Sequence, residues 1–163
     1  MDSRDKASGH ANGYTYLGVL FLMALMALSL TGASTLWEIE QRREKERELV
    51  FIGRQYVAAI GSYYNAASGG DKLYPPNLEE LLRDSRYPNV KRHLRKPWRD
   101  PMTGTANWGL VMDPQGRVMG VHSLAMGIPI KQKGFGNLEA ALADKSSYRD
   151  WVFIYNESMG KKP

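Results

Sequence analysis

The chain contains no cysteine. That excludes a disulfide framework, a thiolate-ligated metal and a thiol nucleophile. Histidine is scarce: His10, His93 and His122 stand far apart, and none is four residues from another metal-ligating type. No HExxH, Walker or glycine-rich dinucleotide pattern occurs, and Gly134-Phe135-Gly136 is only a GxG fragment that follows no strand. Proline is absent before Pro75, so nothing upstream forces a helix to break. Charge is absent from residues 14 to 37, a run of 24 residues. These absences predict no catalytic site, no cofactor and no metal. His122 beside Ser123 comes nearest to a base with its nucleophile, but it lacks the third group that orients a base. Asp100 and Asp113 each precede a proline, where turn initiation is their ordinary role and calcium ligation the weaker alternative.

What is present is unevenly spread. Residues 17 to 30 are almost wholly apolar, and the uncharged run is long enough for a hydrocarbon core, which takes roughly 20 helical residues. The expectation is a single transmembrane helix. Leu28-Ser29-Leu30-Thr31-Gly32-Ala33-Ser34 also resembles a signal-peptide cleavage site, which leaves a cleaved secretory signal as the alternative. The rest of the 163 residues suffices for one modest domain.

The charged run from Glu38 to Glu48 is rich in helix formers, with attractive spacings at Glu38/Arg42, Glu40/Arg43 and Glu44/Arg47. Leu49, Ile52, Tyr56, Ile60 and Tyr63 then recur every three or four residues as one apolar stripe. One helix is predicted over residues 14 to 65, on the order of 75–80 Å long. Its second half should pack by this stripe, and Ser68-Gly69-Gly70-Asp71 should stop it. A short second helix is expected after Pro75-Pro76-Asn77, with Leu78, Leu81 and Leu82 on one face. Asp113-Pro114-Gln115-Gly116 has the preferences of a type I turn, and predicts a hairpin between 108–112 and 117–121. A loop over 127–136, a small capped helical turn at 137–142 and a third strand at 151–155 complete the expectation. The fold class is α+β: a long N-terminal helix on a small antiparallel sheet.

The net charge of +5 is local. Arg83, Arg86, Lys91, Arg92, Arg95, Lys96 and Arg99 face only Asp84 and Asp100 within their window. Cations interleaved with aromatics suit nucleic acid or an acidic membrane surface. They equally suit a subunit contact, or pairing with Glu79, Glu80 and Asp84. Trp98 and Trp108 are expected to anchor the core rather than to stack bases.

At Gly13-Tyr14-Thr15-Tyr16-Leu17 a short polar leader ends in glycine and an aromatic residue, threonine and leucine open the helix. Here the chain resembles the type IV pilin and type II secretion pseudopilin superfamily. Tyr74-Pro75-Pro76-Asn77-Leu78-Glu79-Glu80-Leu81 is similar to the element after the long helix in the major, G-type pseudopilins. The segments from Leu94 to Gly104, Trp108, and Gly120-Val121-His122-Ser123 extend the likeness. The resemblance implies a leader over 1–13, a transmembrane half-helix over 14–37 and a soluble pilin-like domain over 38–163 that includes the second half of the helix. It implies cleavage after Gly13 by a prepilin peptidase, methylation of Tyr14, and no enzymatic activity. Assembly would run through Leu17, Gly18, Leu20, Phe21, Leu22, Leu25 and Leu28. The implied partners are other subunits, an inner-membrane assembly platform and lipid. The implied setting is an inner-membrane protein with a periplasmic domain that can enter a filament.

Three departures qualify the likeness. The family carries Glu at the fifth mature position, opposite a neighbour's N-terminus; Gly18 stands there, as in tip or minor subunits, since an unpaired ammonium in low dielectric costs several kcal/mol. Lysine and arginine are denser on the C-terminal side of the span, which by the positive-inside rule alone would put the domain in the cytoplasm; the resemblance implies the opposite. No acidic C-terminal loop matches the calcium site of major pseudopilins, so no calcium is expected. Two rivals remain: a DNA-uptake pilin using Lys91, Arg92, Arg95, Lys96 and Arg99, and an unprocessed membrane-anchored accessory protein.

Overall fold

A computed structural model describes residues 11–67 and 72–157, without the side chains of 11–13, 28–36, 137 and 138. Most of the leader with His10, the glycine stop at 68–71 and the tail from Ser158 lie outside the described residues. The chain divides into two compact units, residues 1–41 and 42–163. In the first, the described side chains all belong to helix α1, Ala11–Asn65.

In the second unit the predicted stripe is the core. Leu49, Ile52, Tyr56, Ile60 and Tyr63 of α1 are all 3% exposed or less, joined by Ala59. The predicted Glu44–Arg47 pair forms on the open side of the helix. The sheet is antiparallel and three-stranded, in the order β1 (Gly109–Met112), β2 (Val118–His122), β3 (Val152–Ile154). The α+β class and all three strands agree with the sequence reading.

The hairpin turn forms as its residues dictate. Gly116 N–H donates to the Asp113 carbonyl at 3.0 Å, and Asp113 Oδ1 accepts from Gln115 and Arg117 N–H at 2.9 and 2.8 Å. Gly116 sits at φ 74°, and the register shifts between Val111 and Met112. A type I turn followed by a left-handed glycine takes up one extra residue in this way. Two glycines of α1 let β3 close on the helix. A Cβ at Gly53 would lie 2.4 Å from the Phe153 ring, and one at Gly61 2.5 Å from the Tyr155 ring.

The expected second helix is shorter than predicted, a single 3-10 turn at Glu79–Leu81. Asn77 Oδ1 caps it by accepting from Glu80 N–H at 3.0 Å. The ladder stops because the Leu81 carbonyl accepts from His93 and Leu94 N–H, both at 2.8 Å. Ser85 N–H bonds instead to Glu80 Oε2 at 2.9 Å. Asn137–Leu142 is likewise a 3-10 turn, following Gly136.

Among the described residues no helix is long and apolar enough to cross a membrane. Within the uncharged run the described side chains are those of 14–27 and Trp37. Residues 14–27 span about 21 Å as helix, short of a hydrocarbon core of about 30 Å. Residues 28–36 of the predicted span, Leu28 included, have no described side chains; its last residue, Trp37, is exposed.

Candidate functional site

The most unusual surface is the apolar stretch of α1. Every described side chain from Tyr14 to Ala27 is exposed. Leu17, Leu20, Phe21, Leu22 and Leu25 stand 67, 47, 69, 54 and 46% open, with Val19, Met23 and Met26 comparable. Gly18 has nothing within 4 Å of a would-be Cβ. Tyr14 is 82% exposed, while the side-chain positions of Gly13 and Leu28 lie outside the described residues. A helix apolar all round belongs in a core, in lipid or among similar helices.

The basic segment turns inward more than its sequence suggests. Leu94 within it and Asp100 at its end are buried and hold it to the domain. Lys91 Nζ lies 4.0 Å over the Tyr87 ring and Lys96 Nζ 4.2 Å over Trp98. Arg99 Nη1 donates to the Gly104 carbonyl at 3.4 Å, while Arg92 and Arg95 face outward. Trp108 is buried, stacks edge-on against Tyr56 at 5.2 Å and donates Nε1–H to the Trp98 carbonyl at 2.9 Å. Trp98 packs edge-on against Phe51 at 5.8 Å. Both indoles therefore serve the domain's own packing, as expected. Glu80 bonds Ser85 rather than a cation of the basic segment.

Asp84 gathers what sequence reasoning missed. Its carboxylate is fully buried and accepts from Arg86 at 2.9 and 2.7 Å and from His93 Nε2 at 3.1 Å. His93 Nδ1 in turn meets Ser62 Oγ at 2.8 Å. Burial alone would raise the Asp84 pKa, but the Arg86 and His93 hydrogen bonds outweigh it and hold the carboxyl down at about 2. Arg86 also donates to the Tyr63 carbonyl at 3.0 Å and lies 3.6 Å over its ring, closing the C-terminal end of α1 with a cation. The Ser62–His93–Asp84 order is that of a hydrolytic relay. Ser62, however, sits inside a helix, where its own N–H belongs to the helix ladder and offers no oxyanion donor. The cluster is a clasp that ties residues 84–94 to α1.

The clasp carries a pH signature. A carboxyl whose folded pKa is depressed stabilises the fold fully above its unfolded value near 3.8, and the gain fades as pH falls toward 2. Between pH 5 and 2.5 the wild type should lose on the order of 1–2 kcal/mol more in urea unfolding than Asp84→Asn does. Equal losses in the two proteins would remove the clasp from the account.

A second buried carboxylate, Glu46, stitches a loop to the helix. Its Oε1 accepts from the Tyr148 hydroxyl and from Ile130 N–H, both at 2.6 Å, and its Oε2 from Lys131 N–H at 3.0 Å. Burial and this bond push the Tyr148 hydroxyl up to about 12, so it remains a donor at physiological pH. Arg42 completes the seam, donating to the Tyr148 hydroxyl at 3.3 Å and to the Ile128 carbonyl at 3.2 Å.

The remaining titratable pair is structural in geometry. Ser123 Oγ is buried and donates to Asp100 Oδ2 at 2.7 Å, while His122 Nδ1 donates to the Ser123 carbonyl at 2.9 Å. Asp100 Oδ1 accepts from Met102 N–H at 2.9 Å, the turn role expected of it. Among the described residues, no three His, Asp or Glu side chains group as a metal site. No family model matches this chain, and neither a curated protein nor a solved structure shows significant similarity to it.

Proposed function

We propose that the chain is a pseudopilin or minor-pilin-like structural subunit, held in the inner membrane by residues 14–37 and drawn from there into a filament. The supporting observation is the helix whose described side chains from Tyr14 to Ala27 are apolar or uncharged and all exposed. Burying a large aliphatic or aromatic side chain is worth roughly 1.5–3 kcal/mol. The seven large ones from Leu17 to Met26, Val19 aside, are each about half to two-thirds exposed, so burying what remains open represents on the order of 6–12 kcal/mol. A gain of that size requires an apolar phase, first lipid and then the like half-helices of neighbouring subunits. No chemistry is asked of the protein beyond this exchange. The folded unit carried on the same helix makes the contacts with neighbours or cargo.

Gly13 and Tyr14 are the processing pair in this reading, with cleavage between them and methylation of the new N-terminus. Gly18 in place of an acid gives a neighbour's ammonium no partner, which suits a tip or initiating position better than a repeated place in the shaft. Co-expressed with a prepilin peptidase, the wild type should migrate faster than Gly13→Ala by the mass of the leader. Identical migration of the two would remove the processing step from the proposal.

A further inference from the structure

The first turns of α1 within the folded unit carry Arg42, Arg43, Lys45 and Arg47, interleaved with Glu44, Glu46 and Glu48. Beside them runs the loop that Glu46 tethers, with Lys131 and Lys133. A groove of about 630 Å³ between helix and loop is walled by Arg43, Arg47, Lys131 and Lys133. Arg54, Glu46 and Glu139 also line it, so five cations face two carboxylates; Glu139 pairs with Arg54, Glu46 takes the loop N–H groups, and Arg47 is partly offset by Glu44. The groove therefore presents an excess of positive charge.

The same loop turns apolar tips outward. Leu124, Met126 and Ile128 are 37, 74 and 67% exposed. The residues between them face in: Ala125 packs on the core, and a Cβ at Gly127 would meet Arg42 and Tyr148. Arg149 donates to the Leu124 carbonyl at 3.1 Å, and Arg42 to that of Ile128, so guanidinium groups flank the tips. Apolar tips set among cations are how a surface anchors in the headgroup layer of an acidic bilayer.

We infer that this loop and its basic groove form an anchor for the surface of an anionic phospholipid bilayer. The tips enter the interface and the groove takes lipid phosphates. The inference rests on the reading that residues 14–37 lie in lipid. Arg42 follows the end of that run by five residues, which span at most about 18 Å even fully extended, so chain connectivity keeps the anchor within reach of the headgroups. The contact is electrostatic and therefore reversible, as a subunit that must leave the bilayer requires.

The absence of native cysteine allows a clean test on the full chain. Met126→Cys and, separately, Leu22→Cys are labelled with an environment-sensitive fluorophore and reconstituted in phosphatidylcholine vesicles with or without phosphatidylglycerol. The label at 22 should report lipid in both. The label at 126 should report lipid only with phosphatidylglycerol, and should return to water in high salt. Lys131→Gln and Lys133→Gln should each shift its docking equilibrium about fivefold toward water. A label at 126 that stays in water in both vesicles, while 22 is in lipid, overturns the anchor and leaves the proposed function standing. Equal insertion of 126 in both vesicles overturns the anionic preference, and with it the inference. A label at 22 that reports water overturns the membrane reading itself.

Discussion

Replacing Glu46 by alanine is expected to cost the folded unit on the order of 3–5 kcal/mol, far more than any neighbouring charge in its run. The substitution strands three donors at once: the buried Tyr148 hydroxyl and the N–H groups of Ile130 and Lys131. Each buried donor left unpaired costs about 1–3 kcal/mol, reduced where the loop opens to water. Glu46→Gln should fall between the two, because an amide keeps one acceptor and turns its NH2 on one of the donors. Urea unfolding gives the totals. Amide exchange gives the location: protection should fall over 127–136 before it falls in β1–β3. The adjacent exposed Arg47, which pairs with the exposed Glu44, should change stability by less than about 1 kcal/mol when replaced. An alanine at 46 as benign as one at 47 would show that the loop is held by something other than this carboxylate.

Trp151→Ala should be at least as damaging, about 3–5 kcal/mol. The indole is fully buried and packs edge-on against Phe135 at 5.5 Å and Tyr148 at 5.6 Å. It thus joins the C-terminal strand to the loop and to the turn before it. For a domain of this size such a loss lowers Tm by on the order of 15–25 °C. Trp151→Phe should be much milder, because the ring contacts largely persist. The Nε1–H of Trp151 has no partner among the described residues, so phenylalanine gives up no hydrogen bond there. Thermal unfolding of the pair separates the two effects; equal losses would mean that the N–H, not the ring area, carries the stability.

The parts of the fold visible in the sequence are those fixed by local rules. The stripe from Leu49 to Tyr63 declares itself by its three- and four-residue spacing, and Asp113-Pro114-Gln115-Gly116 by its turn chemistry. The parts hidden in the sequence depend on partners far along the chain. Glu46 stands in a run of alternating charge and has no mark to distinguish it from Glu44 or Glu48. Tyr148 and the N–H groups of Ile130 and Lys131, 84 to 102 residues away, make it a buried acceptor. Asp84 has Arg86 two residues away, a pairing open to the sequence, but His93 looks like an ordinary member of a basic surface until the fold brings it to Asp84 and Ser62. The helix expected after Asn77 is only one turn because, although its leucine spacing is helical, the carbonyl that would extend it is taken by His93 and Leu94. The register shift in β1 needed the positive φ of Gly116, which the turn motif permits but does not announce.

The functional reading likewise depends on a local pattern, the uncharged run behind Gly13-Tyr14. Its surroundings fit it: every described side chain from Tyr14 to Ala27 is uncharged and exposed. The most direct measurement is the intact mass of the protein purified from cells that contain a prepilin peptidase. A chain that starts at Tyr14 and carries one added methyl group is the predicted result. A chain still bearing Met1 or Asp2, or one starting near Ala33, would contradict it.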